Sequence, residues 1–376
     1  MAIRTYKFRL YPNQEQVAKF ESWLDLSREL YNAGLQERRD AWKLNRVSIS
    51  FYDQCKQLPE IKQIRTELKE VNSHVLQDSL QRLDKSFKAF FGRVRKGEKA
   101  GFPRFKGKNR FRSFSVPNTR YKIVGKHFDL SRLGKIKIKL DRKIKGQMKT
   151  ATIKESCGKW FVSIVVEYNP KTLTKTGKQI GLDVGLKTFL TDSNGETVSN
   201  ERFAEKLQKK LRVAQRRVSR RKKGSNRRKK AVLLLKKIHE KVFNQRNDFQ
   251  HKVSTRLVKE YDLIAIEKLN IKGLSSGMLA KQVSDASWSS FFHKLNYKAE
   301  NAGKKVVEVN PNGTSQTCIC GASVPKELSQ RKHKCKACGI ECDRDYMSAQ
   351  VILQRAVSQT VEELTWAVTS SVSSES

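Results

Sequence analysis

Any fold this chain adopts must hold together 78 lysines and arginines against 37 acidic residues, a formal charge of +41 over 376 residues. Like charges at that density repel one another in a compact state and draw in a polyanion. A membrane surface is a poor match, because lipid-binding segments concentrate their charge in one stretch, whereas here lysine and arginine run through the whole sequence. Nucleic acid is the partner this pattern predicts. The chain is no mere basic tail: 38% of it is hydrophobic, with 18 Phe and 5 Trp, enough for the cores of two or three domains. No apolar run approaches the roughly 18 residues that span a bilayer. The amino end, MAIRTYKFRLYP, alternates charged and apolar residues where a signal peptide would carry an apolar stretch. The expectation is a cytoplasmic, nucleoid-associated protein with no membrane partner.

The first half reads as a small β-barrel with a helical insertion. Ile3 to Leu10 alternates as a strand and breaks at Tyr11-Pro12-Asn13. Residues 14–96 then read as helices, with Leu76, Leu80, Leu83, Phe87 and Phe90 on one helix face as core packing. After Gly101-Phe-Pro-Arg-Phe105, the segments Ile136 to Leu140, Thr150 to Lys154 and Trp160 to Glu167 read as strands of a barrel that the amino-terminal strand would complete. Phe102, Phe105, Phe111 and Phe114 stand among basic residues, and either base stacking or core packing accounts for them.

A polar linker from Asn169 to Lys178 leads into an α/β region. Ile180 to Val184, Lys187 to Thr191 and a third segment after Ser193-Asn194-Gly195 read as strands. Two long helices follow, 201–222 and 226–260, hinged at Gly224-Ser225. Their polar faces carry Arg216, Arg217, Arg220, Arg221, Lys222, Lys223, Arg227, Arg228, Lys229 and Lys230 without acidic neighbours, which favours phosphate contact over a merely solvated face. Asp262 to Glu267 and Lys304 to Val309 are further strands, a helix runs from about Asp345 to Ala356, and the last residues, 361–376, read as a disordered tail.

Asp183 lies inside an otherwise apolar strand, where an ionised carboxylate is costly unless paired or metal-bound. Glu267 ends another strand and Asp345 begins a helix. This order of strands, helices and acids matches the way an RNase H-like fold gathers carboxylates around two divalent ions about 3.5–4 Å apart for phosphodiester hydrolysis. Hard oxygen ligands imply Mg2+ or Mn2+. Cys318 and Cys320 with Cys335 and Cys338 form two close pairs that suit a structural zinc site in a reducing compartment. The first pair is one residue shorter than C-x-x-C, so Cys342 is a candidate substitute ligand, while Cys55 and Cys157 read as packing residues. His239, His251 and His293 have no nucleophile partner at a diagnostic spacing and read as structural or phosphate-contacting.

Taken together these residues resemble the TnpB family of transposon-encoded proteins, relatives of type V CRISPR effectors. The landmarks run nearly end to end: Phe8 to Pro12, Gly101 to Phe105, Gly181 to Gly185, Arg216 to Arg220, Asp248 to His251, Ile266 to Leu269, Ser284 to Ala286 with Trp288, Thr314 to Gln316, and Asp343 to Asp345. The resemblance implies an α+β multidomain protein. A wedge barrel (1–13 and 97–176) would be interrupted by a helical recognition domain (14–96), and a RuvC-type nuclease domain (177–313) would carry the basic hairpin 201–260. A zinc ribbon (314–342) and a final nuclease helix (343–360) would complete it. It implies catalysis by Asp183, Glu267 and Asp345, a guide RNA from the transposon end, and cutting of double-stranded target DNA beside a short flanking motif. Two departures stand out: Met347 replaces the family's asparagine, and the Cys318–Cys320 pair is short. Three rivals remain: an RNA-guided binder that does not cut, a basic zinc-ribbon RNA-binding protein that leaves Asp183 unexplained, and an autonomous transposase for which no catalytic tyrosine motif is evident.

Overall fold

The computed structural model describes residues 1–372 apart from 109, 328 and 329, with side chains as far as residue 361. It divides into two compact units, Met1–Asn169 and Pro170–Ser376.

The first unit opens with strand β1 (Ala2–Tyr11), whose Tyr6, Phe8 and Leu10 point inward at every second position, as strand pleating requires. Asn13 then starts helix α1 (Gln14–Asn45) with a capping box: its side chain accepts from the Gln16 N–H while the Gln16 side chain accepts from the Asn13 N–H. Short helices α2 (Phe51–Lys56) and α3 (Leu58–Ile64) lead to α4 (Ser73–Arg95). On α4 the expected stripe is inward as far as Leu83, with Phe87 and Phe90 half-buried. Strands β2 (Ser113–Val116), β3 (Tyr121–Val124), β4 (His127–Leu130), β5 (Gly134–Lys139), β6 (Gln147–Ser156) and β7 (Lys159–Tyr168) complete the unit. They join β1 in an antiparallel sheet of order β2-β6-β7-β1-β5-β4-β3.

The amino-terminal strand is therefore central, paired with β7 over nine residues and with β5 on its other edge. Among the described residues no ladder joins β2 to β3, so the sheet is a half-barrel, open where a closed barrel was expected. Its concave side is filled by the helices: Phe20 of α1 lies 4.6 Å from Trp160 and 5.7 Å from Phe114, centroid to centroid. Helices and sheet share one core, which includes Phe111 and Phe114 and so removes those two rings from any stacking role. Phe102 and Phe105 stay exposed.

In the second unit β8 (Gln179–Val184), β9 (Thr188–Asp192) and β10 (Thr197–Ser199) form an antiparallel meander. Helices α5 (Phe203–Lys206), α6 (Gln208–Ser219) and α7 (Asn226–Glu260) precede β11 (Leu263–Glu267). Then come α8 (Ile271–Leu274), α9 (Ala280–Ala286), α10 (Trp288–Ala302) and β12 (Lys305–Val309). A hairpin of β13 (Lys332–Lys334) and β14 (Glu341–Asp343) and the helix α11 (Arg344–Val372) close the unit. The sheet order is β10-β9-β8-β11-β12, with β11 parallel to both β8 and β12.

Alternate residues of the central strands face opposite layers. Ile180, Leu182, Ile264 and Ile266 share a core with α7 and α10, whereas Ala265, Val307 and Val309 pack on Ile352 and Ala356 of α11. Where one helix over 201–222 was expected, the chain forms α5 and α6, interrupted at Leu207 and ending at Ser219. The second basic helix, α7, begins where the hinge predicts, because the Ser225 side chain accepts from the Arg228 N–H. The final helix does not stop near Ala356 but continues to Val372, which corrects the expected disordered tail up to that point; residues 373–376 lie outside the described residues.

Candidate nuclease and zinc sites

Period-2 alternation decides where the acids point. Gly181 of β8 faces α11, so Asp183 two residues on faces the same way, and on the neighbouring parallel strand Glu267 shares the face of Ala265. Gly181 explains how α11 reaches this face. A Cβ there would stand 2.1 Å from the Ala349 carbonyl oxygen, so only glycine lets the helix backbone settle on β8. The helix thereby carries Asp345, in its first turn, to the carboxyl-terminal end of the two strands.

Asp183 is half-buried, and its pKa is driven well above the ordinary carboxylate range by burial first and then by the neighbouring Glu267 and Asp345 charges. Glu267 is raised by burial, an effect opposed by the hydroxyl of Thr314, which donates to its Oε1, and by the positive field of Arg355. Arg355 also ties α11 to the loop after β12, donating to the Asn310 and Asn312 carbonyls at 2.9 and 2.8 Å. Asp345 takes a different set of partners: Arg344 donates to its Oδ1 at 3.1 and 3.2 Å, and Arg331 approaches its Oδ2 at 3.5 Å. Asp343 caps the helix start, accepting from the Asp345 N–H at 2.8 Å.

The three acids thus lie at one end of the sheet, but their oxygens do not all come within 4.8 Å of one another as the four cysteine sulfurs do. The donor set is nevertheless all hard oxygen, and mutual repulsion of this kind is what a divalent cation relieves. Asp183 and Glu267 offer oxygen donors of the kind such an ion takes, whereas the Asp345 carboxylate is engaged by its two arginines.

Cys318, Cys320, Cys335 and Cys338 bring all four sulfurs together, with Sγ–Sγ distances of 3.6 Å for Cys318–Cys338 and 3.7 Å for Cys320–Cys335. The short first pair converges because the chain turns tightly behind it: the Gly321 N–H donates to the Cys318 carbonyl, with Gly321 at φ +89°. Backbone N–H groups of Cys338 and Ala337 lower the Cys335 thiol to about 7. Four thiols in this arrangement fit a closed zinc site. Cys342 is not among them; it lies on β14 opposite His333. Met347 packs with Cys318, Cys335 and Val351, so the family's asparagine position points here into the cysteine core.

On the basic hairpin, Arg216, Arg217, Arg220, Arg221, Lys222 and Arg227 are exposed. Arg228 is spent differently: its Nη1 donates to the Val218 and Arg221 carbonyls at 2.6 and 2.9 Å, closing the end of α6. Among the histidines, His251 is half-buried on α7, where its carbonyl accepts from Lys298 at 2.8 Å. Thr314, Gly181, Arg344 and Arg355 are the positioning residues that sequence reasoning did not single out. Three of them sit inside quoted motifs, yet the roles of Gly181 and Thr314 depend on contacts far along the chain.

The match to known proteins spans the chain. The sequence model of the OrfB family of IS605 elements, described as a probable transposase, matches residues 163–277. A Cas12f1-like TNB domain model matches residues 288–352. A helix-turn-helix domain model of OrfB matches residues 1–46, which here form a strand and one long helix. A Streptomyces pristinaespiralis protein named as an RNA-guided DNA endonuclease is 33% identical, over 93% of this chain and 88% of its own length. An Escherichia coli K12 protein named likewise is 29% identical, over 93% and 92%. The solved structure of the mini-RNA-guided endonuclease CRISPR-Cas phi3 has the same overall fold at TM-score 0.54 and 9% identity, covering 94% of this chain and 92% of that one. With a 33% identical relative matched along nearly its whole length and the OrfB signature across the acid-bearing strands, the chain belongs to the TnpB family.

Proposed function

We propose that the protein is an RNA-guided DNA endonuclease of a transposable element, with the second unit as a RuvC-type, RNase H-like nuclease. The observation that carries this reading is the convergence of Asp183, Glu267 and Asp345 on one end of a sheet whose order is three antiparallel strands followed by two parallel ones. A Mg2+ or Mn2+ pair held by these acids would supply Lewis-acid activation of water and neutralisation of the leaving oxygen. The chain's own residues do the rest. Thr314 orients Glu267, and Gly181 lets α11 present Asp345. Arg344 and Arg331 hold Asp345 until a phosphate competes for them. The exposed hairpin cations take nucleic-acid backbone, and the four cysteines hold a structural zinc.

The partners are a guide RNA made from the transposon end and a double-stranded target with a short flanking motif, in which base pairing reads sequence and dispersed cations supply affinity. The rival reading, guided binding without cutting, draws on the engagement of Asp345 by two arginines. A paired assay separates the two. Guide-loaded wild type and the variants Asp183→Ala, Glu267→Ala and Asp345→Ala are given a matched duplex with Mg2+, and cutting and gel-shift affinity are both recorded. Each substitution is expected to abolish cutting and leave affinity within about threefold, since binding rests on many cations and on pairing. Wild-type cutting by the Asp183 variant would refute the nuclease assignment, and a wild type that binds but never cuts would establish the rival.

A further inference from the structure

We infer that Phe91, Phe102 and Phe105 form a stacking platform for unpaired bases of the bound RNA, built from residues of the first unit alone. This deepens the nucleic-acid reading above and rests on it. The segment after α4 is folded back by a left-handed turn: Gly97 has φ +66°, and the Glu98 N–H donates to the Arg93 carbonyl. The reversal lays Phe102 edge-on against Phe87 and Phe90, at centroid distances of 5.6 and 5.4 Å, with Phe91 against Phe90 at 5.1 Å. The far end of the same segment is bracketed to α1, where the Asn32 side chain donates to the Lys106 carbonyl and accepts from the Lys106 N–H at 3.0 and 2.8 Å. A stretch without regular secondary structure is thus held at both ends.

Packing accounts for only part of these rings. Phe91, Phe102 and Phe105 keep 52%, 45% and 46% of their surface exposed, while Phe111 further along is 8% exposed. Three half-exposed phenylalanines are unfavourable in water unless something covers them. The surroundings say what does. From Lys85 to Arg110 inclusive stand ten lysines and arginines and one acid, Glu98. Among the described residues of that stretch only Lys88 is ion-paired, to Asp84 at 3.0 Å. The Arg39 guanidinium lies 5.8 Å over the Phe105 ring. Flat apolar rings set in unpaired positive charge complement a strand whose bases stack while its phosphates meet cations. We assign the occupant to RNA because the platform lies in the unit without the carboxylates, which suits the nucleic acid that is retained rather than cut.

The test uses the full chain stripped of nucleic acid and a mixed-sequence, unstructured 12-nucleotide RNA, in about 0.3 M salt so that phosphate contacts do not mask stacking. Three further arms are the same RNA with abasic sites, the matching DNA, and the Phe91→Ala/Phe102→Ala variant. The variant should bind the RNA about tenfold or more weakly with an unchanged salt slope, and should equal wild type on the abasic strand. Phe102→Trp should keep wild-type affinity and show an added fluorescence quench on RNA binding, a direct sign of stacking that guards against a misfolded alanine variant. Equal RNA affinity of wild type and alanine variant, equal losses on normal and abasic strands, or no added quench from the Phe102→Trp indole would each overturn the platform. Tighter binding of the DNA would overturn the assignment to RNA. No binding of either strand by wild type would sink the nucleic-acid reading, and the platform with it.

Discussion

Thr314 shows how much of the site depends on one hydroxyl. It is buried, its Oγ1 donates to Glu267, and it is the only side chain that offers Glu267 a hydrogen bond among the described residues. Without it the carboxylate keeps its burial and loses the donor that favours its charged form. Thr314→Val removes the donor at nearly constant volume, so cutting should fall about 10- to 100-fold, the usual cost of losing a partner that orients a ligand. Thr314→Ser should restore most of the rate, and target affinity should not change in either variant. A valine variant that cuts like wild type would show that Glu267 is held by its strand alone. The same economy appears at Gly181, where the missing Cβ is the requirement, and at Arg228, whose charge is used to close a helix end. A sequence reader sees ten similar cations on the hairpin; only the carbonyls of Val218 and Arg221 distinguish this one.

Between elements, the decisive joint is α11 on the cysteine ribbon. Met347 and Val351 pack with Cys318 and Cys335, two and six residues beyond Asp345 on the same helix, so the ribbon supports the helix that presents the third acid. Met347→Asn, which matches the family pattern, should therefore lower stability by about 1–3 kcal/mol by burying an amide without a partner, and should not speed cutting. Faster cutting by that variant would place the side chain at the carboxylates instead. Metal analysis should find about one zinc per chain in the wild type and in Cys342→Ser and none in Cys335→Ser, which should also melt at a lower temperature. Many of these elements were legible from local pattern. Strands β5, β6 and β7 follow period-2 alternation, and α7 begins at the Ser225 cap beside Gly224. What local pattern does not carry is pairing at a distance. Phe20 meets Trp160 across 140 positions, which joins the helical stretch and the sheet in one core. Likewise Asp183 and Glu267 were identifiable as acids on strands, one inside and one at the end, but their common facing depends on the parallel register of β8 and β11.

At the scale of the whole molecule, charge acts with opposite signs on folding and on binding. The chain carries +41, and its described ion pairs are mostly at the surface, as with Lys19–Glu15, Arg142–Asp141 and Lys252–Asp248. Such pairs are worth about 0–1 kcal/mol each and are screened by salt. The net repulsion is longer in range, because the Debye length is about 30 Å at 0.01 M and about 8 Å at 0.15 M ionic strength. At low salt it reaches across a whole compact unit, and at 0.15 M only between near neighbours. Screening should therefore remove more repulsion than attraction, and the melting temperature of the nucleic-acid-free chain should rise between 0.01 and 0.15 M salt. Affinity for a nucleic acid should fall over the same range, as counterion release dictates. At fixed ionic strength, saturating RNA should raise the melting temperature again, by the equivalent of about 2.7 kcal/mol when its concentration is a hundred times Kd. Thermal melts across a salt series, with and without RNA, measure both effects. A free chain whose melting temperature falls as salt rises would mean that its ion pairs outweigh its net charge, and the need for a polyanion would then have to rest on the acids and the fold alone.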